Sequence, residues 1–243
     1  MATRGRGRAC GSDIEPTRRL TDEVHLWSEV VDARDDLEVL TERLDVAEVA
    51  RAERFRFERD RIRFIVRRAF LRQVLAGYLG VAPARVRYLI SARGRPELES
   101  SGIAFSASHS DGLAVVAVAR DRHVGVDLER VRPMPEALDL ADSVCSPEEF
   151  GQLQIAAPAD RGELFLRLWT RKEAYVKALG AGLSMALDEI DVGPYGDEPR
   201  RLPGADSPFV FADLGGIDGY VGSIAASGSH VRVRRITPTA AAA

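Results

Sequence analysis

Apolar residues along the chain recur at two spacings, and the wider spacing predicts helices in both halves. Apolar positions three to four residues apart predict a helical region over Val46–Leu79, which Pro83 follows, and a second helix over Asp160–Leu179. Between these regions, Ser146 is placed to cap a helix that begins at Pro147. The chain should therefore contain two long helical regions and at least one shorter helix.

The narrower spacing, in which apolar residues alternate or form short runs, predicts strands. Turn residues bound most of these runs, and the segment Ala92–Leu98 is itself predicted to be a turn. The predicted strands are Glu23–Val31, Arg87–Ile90, Ile103–Ser106, Leu113–Ala119, Val124–Leu128, Phe209–Ala212, Tyr220–Ala225 and Val231–Val233.

Helices and strands in both halves predict an α+β protein built from two similar-sized α+β lobes. We expect an N-terminal lobe at residues 20–120 and a C-terminal lobe at residues 121–236. Residues 1–19 are rich in Gly and Arg and lack periodicity, which predicts a disordered leader. Residues 237–243 are similarly predicted to be a disordered tail.

Composition narrows the class of protein without reaching its function. The chain has 243 residues, of which 45% are hydrophobic, enough to bury a substantial core. The formal net charge of −3 gives no overall basic field, so we expect no nucleic-acid partner. No apolar run approaches the ~18 residues that cross a bilayer, and no apolar stretch follows the N-terminal arginines as in a secretory signal. Two widely separated cysteines also suit a reducing compartment, and we predict a cytoplasmic protein with no membrane partner.

Lysine is confined to one short segment. Of the 34 basic residues only two are lysines, Lys172 and Lys177. A compact ammonium can approach a phosphate in a way that the bulkier guanidinium cannot. The alternative is that two rare residues lie close together by chance. The clustering of Lys172 and Lys177 is therefore a pointer toward chemistry in this segment and no more.

A carboxylate pair ends one predicted strand. Side chains alternate between the faces of a strand, so Asp127 and Glu129 point to the same side. Two adjacent carboxylates repel each other unless a cation or a donor lies between them, and magnesium prefers such oxygen ligands. Taken alone, the pair is more typical of a solvated strand end that Arg130 and Arg132 neutralise, because Asp-x-Glu is common.

The second long helix carries a third carboxylate. Glu173 and Lys177 are four residues apart and share a face of the helix. The pair is either an ordinary surface ion pair of the helix, or a further metal ligand beside an ammonium for phosphate charge. Trp169, one turn earlier, is interpreted as a core residue.

The segment Ile103–Ser110 reads IAFSASHS and ends in hydroxyl and imidazole side chains. A hydrolase would use Ser108 or Ser110 with His109 as base, but the strand–elbow–helix pattern of such a nucleophile is missing. Phosphate contact suits these side chains better, and capping of the turn is the structural alternative.

Nine arginines lie between Arg51 and Arg72, with only three acidic residues among them. Such a basic segment favours a polyanionic partner, whether a nucleotide phosphate, an acidic protein or nucleic acid. A solvated helix face is the structural alternative.

In this order, these segments resemble the 4′-phosphopantetheinyl transferase superfamily. Its two signatures are similar to Gly125–Glu129 (GVDLE) and Trp169–Lys177 (WTRKEAYVK). Upstream, Ser106–Ser110 (SASHS) resembles the strand of this family that ends in Ser-His-Ser, and Gly94–Pro96 resembles its Gly-Lys-Pro turn, with Arg95 where lysine is usual. The arginine-containing helix region of the family is matched by Arg54, Phe55 and Arg63.

The length of the chain resembles the longer, surfactin-synthetase-activating type of this family. That resemblance implies a monomer of two α+β lobes in a pseudo-twofold arrangement, with coenzyme A bound in the cleft between them. It implies that Asp127, Glu129 and Glu173 hold Mg²⁺ on the pyrophosphate of coenzyme A. Further coenzyme A contacts are implied for Arg54, Arg63, Arg95, Pro96, Ser108, His109, Lys172 and Lys177.

The implied reaction transfers 4′-phosphopantetheine from coenzyme A to a serine of an apo acyl or peptidyl carrier protein and releases 3′,5′-ADP. Glu173, directly or through a water, is the candidate base, and Lys177 stabilises phosphate charge. Fatty acid, polyketide, nonribosomal peptide and siderophore carriers all remain open. The alternatives are a nucleic-acid-binding protein that uses the arginine-rich helix, which would bind DNA with steep salt dependence, and an inactive coenzyme A-binding module.

Overall fold

The computed structural model describes residues 20, 23–32, 35–90, 96–98, 101–182 and 185–236. The predicted leader and tail lie outside the described residues, as does Arg95. The helices are α1 (Leu37–Thr41), α2 (Val46–Ala52), α3 (Glu58–Leu79), α4 (Ala137–Ala141), α5 (Pro147–Ile155) and α6 (Arg161–Leu179). The strands are β1 (Glu23–Val30), β2 (Tyr88–Ile90), β3 (Pro96–Leu98), β4 (Ile103–Ser110), β5 (Leu113–Arg120), β6 (Val124–Arg130), β7 (Phe209–Asp213), β8 (Tyr220–Ser227) and β9 (Arg232–Ile236).

Most predicted elements are confirmed, and α6 matches its predicted range almost residue for residue. It ends at Gly180, whose left-handed φ of 65° is a conformation that glycine adopts without a steric penalty. The predicted cap of α5 is also present, because the Ser146 side chain accepts a hydrogen bond from Glu149 N and the Glu149 side chain accepts one from Ser146 N. The mixed α+β class is confirmed.

The predicted helical region over Val46–Leu79 is confirmed as helical, but a turn at residues 53–57 divides it into α2 and α3. The turn folds α2 back on α3, where the buried Arg72 guanidinium binds the carboxylates of Asp45 and Glu48. In one straight helix Glu48 and Arg72 would be ~36 Å apart, so their contact requires the break. The predicted turn at Ala92–Leu98 is wrong in its last part, since β3 pairs with β2 in an antiparallel hairpin.

Two larger sheets form the frame that positions the site. The first has the order β4-β5-β1-β9, and the second has the order β6-β8-β7 with antiparallel pairing throughout. In the first sheet β9 pairs in parallel with β1. The last strand of the chain therefore joins the sheet that is built from the first half of the sequence, so the sheets do not follow a single division at residue 120.

Side-chain alternation divides the interior into layers. One face of the first sheet contributes Trp27 and Val116 to a core shared with α3. The opposite face packs Leu26 and Val115 against residues of the second sheet such as Val126. The remaining face of the second sheet packs against α6. The layers are therefore α3, first sheet, second sheet and α6. No helix of the described residues combines the length and apolarity that a bilayer span requires.

Candidate active site

Serine hydroxyls connect the edge strands of the two sheets. On alternate residues of β4, Ser106 Oγ accepts a hydrogen bond from Val126 N (3.1 Å), and Ser108 Oγ donates one to Asp127 Oδ1 (2.7 Å). At the end of the strand, Ser110 Oγ donates a hydrogen bond to Glu129 Oε2 (2.9 Å). A strand presents every second side chain to one side, so serine at each of these positions joins β4 to β6 along its length. We call this junction the β4–β6 seam.

Close packing at Gly125 places helix α6 against strand β6, so that α6 forms one side of the site. A Cβ atom built on Gly125 would lie 1.9 Å from the carbonyl oxygen of Ala174 and 2.6 Å from the backbone nitrogen of Ala178. Glycine therefore lets α6 lie directly on β6. Asp127 and Glu129 follow Gly125 on the same face of β6, so this contact brings them toward Glu173 and Lys177 on α6.

Asp127 is the centre of the resulting polar group. Its side chain is buried, and Oδ1 accepts hydrogen bonds from Lys177 Nζ (2.6 Å) and Ser108 Oγ (2.7 Å). The other carboxylate oxygen, Oδ2, is buried without a hydrogen-bond partner among the described residues. A buried carboxylate oxygen with no donor is costly, which suggests that a cation or a donor completes the site.

Negative charge surrounds Glu173. Burial raises the pKa of the Glu173 carboxyl, and the charge of Asp127 raises it further. The Lys177 ammonium acts in the opposite direction, and Glu129 adds a smaller upward shift of the pKa. In the described part of the chain, no three His, Cys, Asp or Glu side chains stand in metal-binding geometry. The three carboxylates are nevertheless close enough to repel one another, and a divalent cation would relieve that repulsion.

A basic cavity of about 240 Å³ opens on the other face of β4. The His109 ring at its mouth keeps contact with solvent, yet its pKa is lowered to about 4. Desolvation is the largest cause, followed by the positive charges of Arg67, Lys177 and Arg63. The polar lining consists of Arg51, Arg67, Arg68, Ser108 and His109. A neutral imidazole among several cations indicates a surface suited to a polyanion.

Arg63 acts on the His109 ring through its charge and is itself held by acidic side chains. Its guanidinium contacts Asp32 Oδ1 at 2.7 Å and Asp111 Oδ1 at 3.9 Å. Arg54 is exposed in the turn between α2 and α3. The structure thus brings Arg63, but not Arg54, into the group of basic residues that influence His109.

Two predicted contact residues lie elsewhere. Lys172 is fully buried, with its ammonium 2.7 Å from Glu149 Oε2 and donating to the carbonyls of Leu187 and Ile190. Pro96 lines a different cavity beside Ile103. Six residues separate Ile103 from His109 on β4, or about 20 Å along an extended strand. The structure does not bring Lys172 or Pro96 to the seam.

Three residues that support the site from outside the proposed metal ligands had no signal of their own in the sequence. Gly125 entered only as part of a signature, Ser106 only as part of a strand, and Arg67 only within an arginine-rich segment. Serine at every second residue of β4 was the available signal for the seam. The roles of Gly125 and Arg67 depend on contacts between distant segments of the chain, which a local pattern does not reveal.

Comparison with known proteins is consistent with this geometry. Residues 123–212 match the family model of the 4′-phosphopantetheinyl transferase superfamily, and residues 29–121 match that of 4′-phosphopantetheinyl transferase, N-terminal. The 4′-phosphopantetheinyl transferase HetI of Nostoc sp. is 38% identical over 214 residues, covering 86% of this chain and 90% of that protein. The transferase psf-1 of Bacillus pumilus is 30% identical over 73% of this chain and 76% of its own length. The transferase Sfp of Bacillus subtilis is 27% identical over 65% of this chain and 70% of its own length.

Proposed function

The chain belongs to the 4′-phosphopantetheinyl transferase superfamily and transfers the phosphopantetheine group of coenzyme A to carrier proteins, and we propose that the β4–β6 seam is its active site. The observation that carries this proposal is Asp127, whose buried carboxylate has one oxygen bound by Lys177 and Ser108 and the other without a partner. Both family signatures contribute to this point, one through Asp127 and the other through Lys177.

The architecture we propose is the longer, surfactin-synthetase-activating type, active as a monomer in the cytoplasm. Two consecutive family models, over residues 29–121 and 123–212, support α+β lobes at residues 20–120 and 121–236, except that β9 of the second range joins the sheet of the first. The layer of α3 and the first sheet, opposite the layer of the second sheet and α6, supports a pseudo-twofold arrangement. The cleft for coenzyme A then runs across the seam.

In this arrangement the nucleotide part of coenzyme A lies against the basic cavity. Ser108, His109, Arg63 and Arg67 surround its phosphates, and the neutral His109 ring donates or accepts a hydrogen bond without adding charge. Arg54 and the turn that contains Arg95 are secondary candidates. Lys172 is left out of the proposed contacts because its ammonium is enclosed by Glu149 and backbone carbonyls.

The chemistry of the donor set at the seam suits Mg²⁺. Hard oxygen ligands are what this cation prefers, and Asp127, Glu129 and Glu173 provide three carboxylates on adjoining faces of β6 and α6. The partnerless Asp127 Oδ2 is the observation that a bound cation would explain. When bound there, Mg²⁺ would neutralise charge on the pyrophosphate of coenzyme A.

The residues of the chain prepare the transfer. The hydroxyl oxygen of the carrier serine forms a bond to the β-phosphorus of coenzyme A, and the bond from this phosphorus to the bridging oxygen breaks, so that 3′,5′-ADP leaves. Glu173, which the packing of α6 on β6 brings next to Asp127, accepts the serine proton directly or through a water. Lys177 offsets negative charge at the phosphates.

Intact mass of an apo carrier domain tests the reaction. Incubation with this protein, coenzyme A and Mg²⁺ should add one phosphopantetheine, and EDTA or Asp127→Ala should prevent the addition. Asp139→Ala, which changes an exposed carboxylate of α4 that is not a proposed metal ligand, is the matched control and should leave the rate unchanged. No addition to any acyl or peptidyl carrier, with the protein shown to be folded, would contradict the proposal.

The role of Glu173 has a separate test. Glu173→Gln should abolish turnover while coenzyme A still binds, because the amide cannot accept the serine proton. Turnover near that of the wild type would exclude Glu173 as the base.

A further inference from the structure

Ser110 makes two hydrogen bonds that together fix the direction of its hydroxyl. Its oxygen accepts a hydrogen bond from Arg130 N at 3.0 Å, and the hydroxyl donates to Glu129 Oε2 at 2.9 Å. A serine hydroxyl has one proton, and the backbone N–H of Arg130 occupies an acceptor site on the oxygen. The proton is therefore directed at the Glu129 carboxylate.

The Ser110 hydroxyl is the group that holds Glu129 in place. Within the described residues, no basic side chain forms an ion pair with Glu129, and Ser110 is its side-chain hydrogen-bond partner. Asp127, on the same face of β6, is secured differently, because Lys177 and Ser108 both bind it and its side chain is buried. Glu129 is longer and less buried, and the charges of Asp127 and Glu173 repel it. Without the hydroxyl, its carboxylate would turn toward solvent.

We propose that Ser110 is a positioning residue, whose hydroxyl aims the Glu129 carboxylate at the divalent cation that is bound together with coenzyme A. This inference rests on the proposed function. Hydrogen bonds from neighbouring groups to metal-binding carboxylates orient them before the metal arrives, which reduces the cost of assembling the site.

Ser106 supplies a matched control on the same strand. Its hydroxyl faces β6 as that of Ser110 does, and it accepts a hydrogen bond from Val126 N at 3.1 Å. In the described contacts its bond goes to the backbone of β6 and to no carboxylate. Ser106→Ala therefore weakens the seam without releasing a proposed metal ligand. Ser110→Thr retains the hydroxyl and tests whether that group is what matters.

Binding of Mn²⁺, followed by electron paramagnetic resonance in the presence of coenzyme A, tests the inference without relying on activity. Ser110→Ala should weaken Mn²⁺ binding by ~10–100-fold, the usual effect of losing a group that orients a metal ligand. Ser106→Ala should leave the affinity close to that of the wild type, and Ser110→Thr should restore most of it. In the transfer assay, Ser110→Ala should raise the Mg²⁺ requirement while the KM for the carrier protein stays unchanged.

The outcomes separate this inference from the proposed function. Equal Mn²⁺ affinities for Ser110→Ala and Ser106→Ala would overturn the role of Ser110 and leave the metal site intact. Failure of the wild-type protein to bind Mn²⁺ with coenzyme A would overturn the metal site and the role of Ser110 together. Loss of folding is monitored by the melting temperature, and equal melting temperatures for the two alanine variants exclude it as the cause of a difference.

Discussion

The contact between β6 and α6 at Gly125 predicts whether Gly125→Ala raises or lowers the free energy of unfolding. Glycine is disfavoured inside a strand by ~0.5–1 kcal/mol relative to alanine, so intrinsic preference alone predicts that Gly125→Ala stabilises the protein. The structure predicts the reverse, because the new Cβ would lie 1.9 Å from the Ala174 carbonyl oxygen, where real contacts remain above 3.0 Å. Helix α6 must therefore move by about 1 Å away from β6.

Two quantities follow from that displacement. Overpacking in a close-packed interior costs ~1–3 kcal/mol in the free energy of unfolding, and here the obstructing atoms belong to the helix backbone, which cannot change rotamer. A ~1 Å misplacement of reacting groups can reduce the rate of a catalysed reaction by ~10²-fold. Because Glu173 and Lys177 are carried by the displaced helix, the transfer rate should fall together with stability.

Urea denaturation and the intact-mass transfer assay measure these two effects, with Gly151→Ala as control. Gly151 lies within α5, and a Cβ built there would meet no atom within 4 Å. The control should gain ~0.5–1 kcal/mol from helix preference and keep its activity. Stabilisation of Gly125→Ala to the same extent as Gly151→Ala, with an unchanged transfer rate, would refute the argument that this glycine sets the spacing between β6 and α6.

Two other sites allow predictions of stability and pH dependence. Removing one partner of the fully buried pair, as in Lys172→Met, should cost ~3–5 kcal/mol in urea denaturation because Glu149 keeps a buried charge. A double variant that also carries Glu149→Leu should lose less than the sum of the two single losses, and an additive double variant would contradict this coupling. The pKa of His109 is lowered to about 4 from 6.5 in the native protein. Between these two pH values the ring should stay neutral in the native protein, whereas the unfolded chain binds a proton. The contribution of His109 to stability is therefore present above pH 6.5 and is lost as the pH falls toward 4. Arg67→Gln should raise the pKa of His109 in an NMR titration, and an unchanged pKa would show that the charge of Arg67 has no effect on the ring.

Local patterns in the sequence were sufficient to predict the elements but not every partner. Ser146 and Pro147 predict the start of α5, because capping depends on residues that are close in the chain, and in the structure Glu149 completes the cap. The same glutamate also binds Lys172, backbone N–H groups of Val192 and Gly193, and its own cap. The contacts with Lys172, Val192 and Gly193 join segments more than twenty residues apart, and a local pattern contains no information on them.

One correction was accessible from the sequence alone. Lys172 and Lys177 were both expected at the phosphates, yet they are five residues apart on one helix. At 3.6 residues per turn, five residues leave two side chains ~140° apart around the axis, so the two ammonium groups cannot face the same site. The structure places Lys177 beside Asp127 and Lys172 in the core with Glu149. The pairing of β9 with β1, by contrast, had no local signal, because parallel partners can be distant in the chain.

The two signatures of the chain are best understood as the two surfaces of one packing contact. Gly125 on β6 meets Ala174 on α6 with no space for a side chain between them. Two of the proposed metal ligands, Asp127 and Glu173, lie close to that contact in the chain. Asp127 is two residues further along the same face of β6, and Glu173 is adjacent to Ala174. A signature that combines glycine with carboxylates at fixed offsets therefore encodes a distance as well as ligands. The glycine determines how closely the carboxylates of β6 approach those of α6, which is why its substitution should impair transfer even in a protein that still folds.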